Sequence, residues 1–202
     1  GLEFGERNLL VTFHPSTLDE DSASEQMNCL LSVLAEMSET TRLIFTMPNA
    51  DSSSRQVSNL IHDFVAQHAN ARAFTSLGQL KYLSCLQFMD AVVGNSSSGI
   101  AEAPSFGIGT IDIGDRQAGR IKATSVIECH ADPVSIKEAF QKLYSPEFRA
   151  RLPRTVNPYG NGGASEAIVQ VLRSQPLKGL LKKKFHDIGH EFLDEGRHRS
   201  GA

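Results

Sequence analysis

The stretch 91–120, AVVGNSSSGIAEAPSFGIGTIDIGDRQAGR, constrains this chain more than any other. Ala91-Val92-Val93 is a short apolar run of the kind buried on both faces of a parallel sheet. It runs into Gly94-Asn95, and Ser96-Ser97-Ser98-Gly99 then predicts the opening of a helix that continues to about Phe106. A second strand, Thr110-Ile111-Asp112-Ile113, ends in Gly114-Asp115-Arg116-Gln117. A helix that begins at a strand end offers unpaired N–H groups and a positive dipole end, both of which suit an anion. Glycines let the anion approach the backbone, and serine hydroxyls add donors. Glu102, about one turn inside the helix, would repel phosphate but can accept hydrogen bonds from ribose hydroxyls. Arg116 supplies positive charge from the next strand end. The pattern reads as a cradle for a nucleoside diphosphate. Serine and asparagine are also ordinary helix caps and glycine is ordinary at strand ends, so a plain capped helix fits the same residues.

Around this stretch the chain alternates between the two periodicities. Residues 8–13 read as a buried strand ending at His14-Pro15, and the acidic loop 16–21 leads to a helix near Ser22 with Met27, Leu30, Leu31, Leu34 and Met37 on one face. A strand at 42–46 is broken by Pro48-Asn49-Ala50-Asp51, and Val57, Leu60, Ile61, Phe64 and Val65 mark the next helix. A third strand covers 71–76, followed by a helix marked by Leu80, Leu83 and Leu86. Beyond the central stretch come a strand at 125–129 and a helix opening at Pro133 with Ile136, Ala139, Phe140 and Leu143 inside. A basic, Pro-containing connection through Pro153 and Pro158 reaches the turn 159–163. Ser165 then caps a final helix with Ile168, Val171 and Leu172 inside.

About six such alternations define an α/β fold: a Rossmann-like, doubly wound, mostly parallel sheet with helices on both faces. Residues 1–176 are expected to form this domain, and 177–202 a basic segment and tail beginning around Lys182-Lys183-Lys184.

Bulk properties exclude several classes. A formal net charge of -3 over 202 residues gives no basic footprint for nucleic acid. No apolar run approaches the ~20 residues a membrane helix needs, and no signal peptide is visible. Cys29, Cys85 and Cys129 are scattered, which suits a reducing cytoplasm better than a disulfide framework or a zinc site. The chain begins at Gly1 rather than methionine and is expected to belong to a longer protein.

The first strand is followed by no G-x-G-x-x-G, and the central glycines by no Walker lysine, so no dinucleotide or other cofactor is expected. His186 and His190 have i, i+4 spacing but no third ligand, so no metal is expected. Gly94-Asn95-Ser96-Ser97-Ser98 lacks the order of a nucleophile elbow, and no serine nucleophile is assigned. Ligands of open α/β sheets bind outside the carboxyl ends of the strands. His14, the turn 48–51, the stretch 96–102 and Arg116 all fall there. Each taken alone also has a plain structural reading, as loop, turn or helix-surface residues do.

The segment as a whole resembles the hydrolysing UDP-N-acetylglucosamine 2-epimerase family, whose members have the two-domain glycosyltransferase-B type of fold. Its elements G-N-S-S-[SC]-G-x-x-E-[AV] and G-x-R-Q-x-G-R match residues 94–103 and 114–120, and the likeness extends to about Asp187. Gly109, Asp112 and Gly163 depart from it, standing where proline, asparagine and asparagine are common. The resemblance covers the C-terminal half of the family's length. It implies UDP contacts at Asn49, Asp51, Leu77, Ser96, Ser97, Ser98, Gly99, Glu102 and Arg116, and a catalytic role for His14 facing the sugar nucleotide. Asn49, Asp51 and Arg55 match the family's P-N-x-D-x-x-x-[KR] turn. The implied reaction converts a UDP-2-acetamido sugar and water, through a glycal, into UDP and the 2-epimeric free sugar, for sialic-acid-like biosynthesis. Implied partners are the UDP-sugar, an N-terminal domain of the same protein that carries most of the acid–base carboxylates, and a second copy of the chain. This half alone is expected to bind UDP without turning substrate over. Two other readings stay open: the donor-binding half of a nucleotide-sugar glycosyltransferase, and a non-catalytic UDP-binding module.

Overall fold

The computed structural model describes residues 3–15, 20–48, 54–176, 178–179 and 181–182, with 20–22 described by backbone alone. These residues form two compact units that divide between Asn161 and Gly162.

The first unit is built on six parallel strands: β1 (Arg7–Thr12), β2 (Thr41–Thr46), β3 (Ala71–Phe74), β4 (Ala91–Gly94), β5 (Gly109–Ile113) and β6 (Val126–Cys129). Their order in the sheet is β3-β2-β1-β4-β5-β6. Chain progression therefore runs one way through β1, β2 and β3 and the other way through β4, β5 and β6. The strand order reverses between β1 and β4, which pair from Leu9↔Ala91 to Thr12↔Gly94.

Strand alternation sorts the apolar side chains onto two faces. Leu9, Val11, Leu43, Phe45, Ala91, Val93, Ile111 and Ile113 meet α1 (Glu20–Ala35), α2 (Ser54–Gln67) and α5 (Pro133–Leu143) in the larger core. Leu10, Ile44 and Val92 face the smaller one, covered by Leu86 of α3 (Gly78–Leu86) together with Met89, Ala103 and Ile108. Both faces are sealed, as a parallel sheet requires. Asp132 caps α5, its Oδ1 accepting from Val134 N–H and Ser135 N–H at 3.0 and 2.9 Å.

Several sequence expectations are corrected. The helix expected to run to Phe106 is two short pieces, α4 (Ser98–Ala101) and a 3-10 turn at Ala103–Phe106. Pro104 has no N–H to donate to the Ile100 carbonyl, so the α-helical ladder cannot pass it. Phe13 lies past the end of β1, and Met37 past the end of α1. Leu80 is 81% exposed, because the smaller core draws on Leu86 and only part of Leu83. The connection after Tyr144 contains α6 (Pro146–Arg151), capped by Ser145, and a 3-10 turn at Leu152–Arg154.

In the second unit, α7 (Ala164–Ser174) is capped by the left-handed backbone of Gly163, and Ser165 lies inside its first turn. Ile168, Val171 and Leu172 form the expected stripe but are exposed rather than inside. The described remainder of that unit offers no apolar face to cover them. No helix among the described residues is long and apolar enough to cross a membrane.

Candidate functional site

The crevice where strand order reverses is the position at which open α/β sheets bind ligands. Here it is closed at its floor by one side chain. Asn95, buried at the end of β4, accepts a hydrogen bond on Oδ1 from His14 N–H and donates one from Nδ2 to the His14 carbonyl, both 2.7 Å. The amide thus continues the β1–β4 pairing one step past the last backbone rung and fixes where His14 leaves the sheet. Gly94 is required beside it. Its φ is +132°, and a Cβ there would stand 2.1 Å from the Thr12 carbonyl oxygen.

The serine turn follows directly. Ser96 C=O accepts from Gly99 N–H at 3.1 Å, and Ser97 C=O accepts from Ile100 and Ala101 N–H, which leaves the N–H groups of Ser96 and Ser97 without a partner among the described residues. Ser97 is exposed, and Ser96 and Ser98 are half-buried. Gly99 is buried under Thr110: a Cβ would come within 2.6 Å of Thr110 Cγ2, and Thr110 Oγ1 donates to the Gly99 carbonyl. The missing side chain lets the turn lie flat on β5. With only four residues in α4, little macrodipole accumulates, so local N–H groups and nearby cations must do most of the work on an anion. Glu102 is exposed, one turn beyond Ser98, to whose carbonyl its N–H bonds.

Positive charge arrives from the loop after β5. Arg116 donates from a terminal guanidinium nitrogen to the Asn95 carbonyl at 3.0 Å. Gln117, buried, donates to the same carbonyl at 2.8 Å and accepts from Arg120 at 2.9 Å. The far end of the loop is pinned by Lys122, whose Nζ pairs with Glu128 and stands 3.0 Å from Asp112 Oδ2. Burial raises Asp112 above the ordinary carboxylate value against the opposing pull of Lys122. Burial alone would lower Lys122, yet its bonds to Glu128 and Asp112 carry it above its ordinary value.

The structure thus brings His14, the serine turn and Arg116 together around Asn95. Leu77, half-buried at the head of α3, packs against the smaller core. Asn49 and Asp51 lie outside the described residues, as do His186 and His190. Among the described residues no group of three or more His, Cys, Asp or Glu is placed to hold a metal ion.

Tyr82 joins the site without a signal of its own in the sequence. From α3 its phenol meets the Ser98 hydroxyl in a hydrogen bond. Burial, and to a lesser degree the charge of Glu102, raises its pKa above the ordinary phenol value, so it keeps its proton at neutral pH. Asn95 and Gln117 are likewise fixtures of the site. The quoted motifs contained both, but nothing in the letters distinguishes a buried brace from a ligand contact. A crevice of about 800 Å³ between α1, α5 and the carboxyl ends of β5 and β6 meets the site at Asn95 and Arg116, while none of residues 96–102 lines it.

Fold and site together define a Rossmann-like α/β domain of the glycosyltransferase-B type, with donors for an anion gathered at its switch point. Residues 3–173 match the model of the UDP-N-acetylglucosamine 2-epimerase family, and the chain belongs to that family. It is 35% identical over 181 residues to the GDP/UDP-N,N'-diacetylbacillosamine 2-epimerase (hydrolyzing) of Campylobacter jejuni, covering 89% of this chain and 46% of that protein. It is 32% identical over 184 residues to the polysialic acid biosynthesis protein P7 of Escherichia coli, covering 90% of this chain and 46% of the relative. Among solved structures, the UDP-GlcNAc 2-epimerase of Neisseria meningitidis bound to UDP-GlcNAc superposes with a TM-score of 0.69 at 20% identity, over 84% of this chain and 45% of the other. This last likeness bears on the fold alone. The chain spans about half the length of the curated relatives it matches.

Proposed function

We propose that this chain is the UDP-binding half of a hydrolysing UDP-2-acetamido-sugar 2-epimerase. The observation that carries the reading is the Asn95 junction, which gathers His14, the serine turn and Arg116 at the switch point in a chain 35% identical to a hydrolysing 2-epimerase. The diphosphate lies against the backbone N–H groups of Ser96 and Ser97, with serine hydroxyls and Arg116 beside it. Glu102 accepts from the ribose hydroxyls. Leu77, Asn49 and Asp51 belong to the same UDP contact set.

The chemistry follows from the leaving group. A base removes the proton at C2 while the C1–O bond breaks, its electron pair leaving with UDP, and a glycal remains. Water then adds hydroxide at C1, and a proton returns to C2 on the opposite face. Negative charge grows on the β-phosphate as UDP departs, and the donors around Asn95 stabilise that charge. His14 donates to the sugar or to the leaving diphosphate. Most of the acid–base carboxylates belong to the half that this chain does not span, so residues 1–176 are expected to bind UDP without turnover of their own. The free 2-acetamido sugar feeds sialic-acid-like biosynthesis.

The test uses the protein carrying both halves, a UDP-2-acetamido sugar, and NMR in deuterated water. UDP release together with a 2-epimeric free sugar carrying deuterium at C2 is expected. Transfer only when an acceptor is added would assign the chain to a glycosyltransferase. UDP binding with no turnover would leave a binding module.

A further inference from the structure

Residues 157–159 sit behind the candidate site and touch both of its walls. On one side, Asn157 Nδ2 donates to the Ala101 carbonyl at 2.8 Å and to Ser105 Oγ at 2.6 Å. Ala101 ends α4, and the Ser105 N–H that would serve its carbonyl in a continuing α-helix bonds instead to the Glu102 carbonyl at 3.0 Å. Asn157 therefore satisfies the acceptor that the helix break orphans. On the other side, the Tyr159 hydroxyl donates to the Ile121 carbonyl at 3.0 Å. The Arg120 guanidinium lies over the Tyr159 ring, 5.7 Å from its centroid, and Arg120 also bonds Gln117, which holds Asn95. The strap is itself closed by Tyr159 N–H donating to Asn157 Oδ1 at 2.9 Å.

We propose that Asn157 and Tyr159 are positioning residues that tie the serine–glutamate wall of the site to the arginine wall and so set the separation at which a nucleoside diphosphate is gripped. The proposal rests on the UDP-binding reading given above. Neither residue reaches the ligand. Asn157 fixes the segment that ends in Glu102, and Tyr159 fixes the loop that carries Arg116. Both walls are otherwise short turns on strand ends, and Arg116 and Glu102 are exposed on them. A ligand that must meet both gains affinity when their spacing is set before it arrives.

The experiment compares the 202-residue chain with Tyr159→Phe and Asn157→Ala, by amide hydrogen exchange without ligand and by calorimetric titration with UDP. Tyr159→Phe keeps the ring over Arg120 and removes one hydrogen bond. Exchange is expected to rise at 116–123 and not in α5, with little change in thermal midpoint, as for most exposed substitutions. UDP affinity is expected to fall about 3- to 10-fold, the equivalent of one neutral hydrogen bond. Asn157→Ala should raise exchange at 98–106 and weaken UDP similarly. Unchanged exchange at both walls overturns the strap, and so does unchanged UDP affinity in both variants. A parent chain that binds no UDP overturns the functional reading and the ligand half of this proposal with it, while the exchange arm still decides whether the walls are tied.

Discussion

Asn95 and His14 hold each other by two hydrogen bonds of 2.7 Å across the point where strand order reverses. The pair fixes the direction of the chain beyond β1, and the Asn95 carbonyl anchors Arg116 and Gln117 from the opposite side. One buried residue thus registers the loops, the loop after β1 through its side-chain amide and the loop after β5 through its backbone carbonyl. Asn95→Ala keeps the backbone carbonyl that Arg116 and Gln117 bond and removes the side-chain amide from the His14 N–H and carbonyl, at a cost of about 1–3 kcal/mol. Urea denaturation is expected to show that loss, and UDP binding should weaken with it. Parental stability with parental UDP affinity would show that the loops hold without the amide.

Tyr82→Phe removes the phenol that bonds Ser98 and leaves the ring packed in the smaller core. UDP affinity is expected to fall about 3- to 10-fold, in line with one neutral hydrogen bond. Because Tyr82 is raised above its ordinary value of 10.0, it stays protonated from pH 6 to 9. Parent and variant should therefore show the same pH slope of UDP binding in that range. A slope present in the parent alone would mean that the phenol titrates.

Much of the fold was legible because it follows from period. The six apolar runs and the helical stripes of α2 and α5 identify their elements without long-range information. Places where a tertiary neighbour decides were not legible. Pro104 announces a break, but only the packing of Gly99 on Thr110 shows how short α4 is. Leu80 and Leu83 read alike in sequence, yet Leu80 is exposed and Leu83 packs against the core. At the site, the serines, Glu102 and Arg116 carried a chemical signal of their own. Asn95, Gln117, Tyr82, Asn157 and Tyr159 act through contacts 16 to 81 residues distant or through burial, and ordinary polar letters do not advertise that.

The α5 cap gives a pH test away from the site. Hydrogen bonds from the Ser135 backbone and side chain, with further help from Val134 N–H and His130, lower the Asp132 pKa below 3.8. A lowered folded pKa means stability present above the unfolded value and lost as pH falls through the folded one. The melting temperature of Asp132→Ala should lie below the parent's at pH 5 to 7. The gap should close as pH falls below 3.8. A gap independent of pH would assign the effect to something other than the carboxylate.

Burial pushes the Cys129 thiol up to about 12, with Asp112 and Asp132 adding to the shift. At pH 8 the thiolate that reacts with alkylating agents is then scarce. Peptide mass spectrometry after timed iodoacetamide treatment should find Cys129 largely unmodified in the native chain and fully modified after denaturation. Rapid native labelling would contradict this placement.

His14 is tested in the protein carrying both halves. His14→Ala is expected to lower kcat by about 10²-fold or more, within the range for an acid–base or electrostatic group, while UDP affinity changes much less. A histidine that only supports the loop would lower the melting temperature and leave activity per folded molecule intact. Melting temperature and free-sugar release measured on one preparation separate the two.

This chain is expected to bind UDP through the serine turn, Glu102 and Arg116. Titration calorimetry of UDP into the 202-residue chain and into Glu102→Ala tests it most directly. Glu102 is exposed, so the substitution should leave the fold intact. Removing a charged acceptor from two ribose hydroxyls costs roughly 1–3 kcal/mol. The parent is expected to bind one UDP per chain, and Glu102→Ala to bind about tenfold or more weakly. No saturable binding by the parent, or equal affinity in the two, would contradict the account.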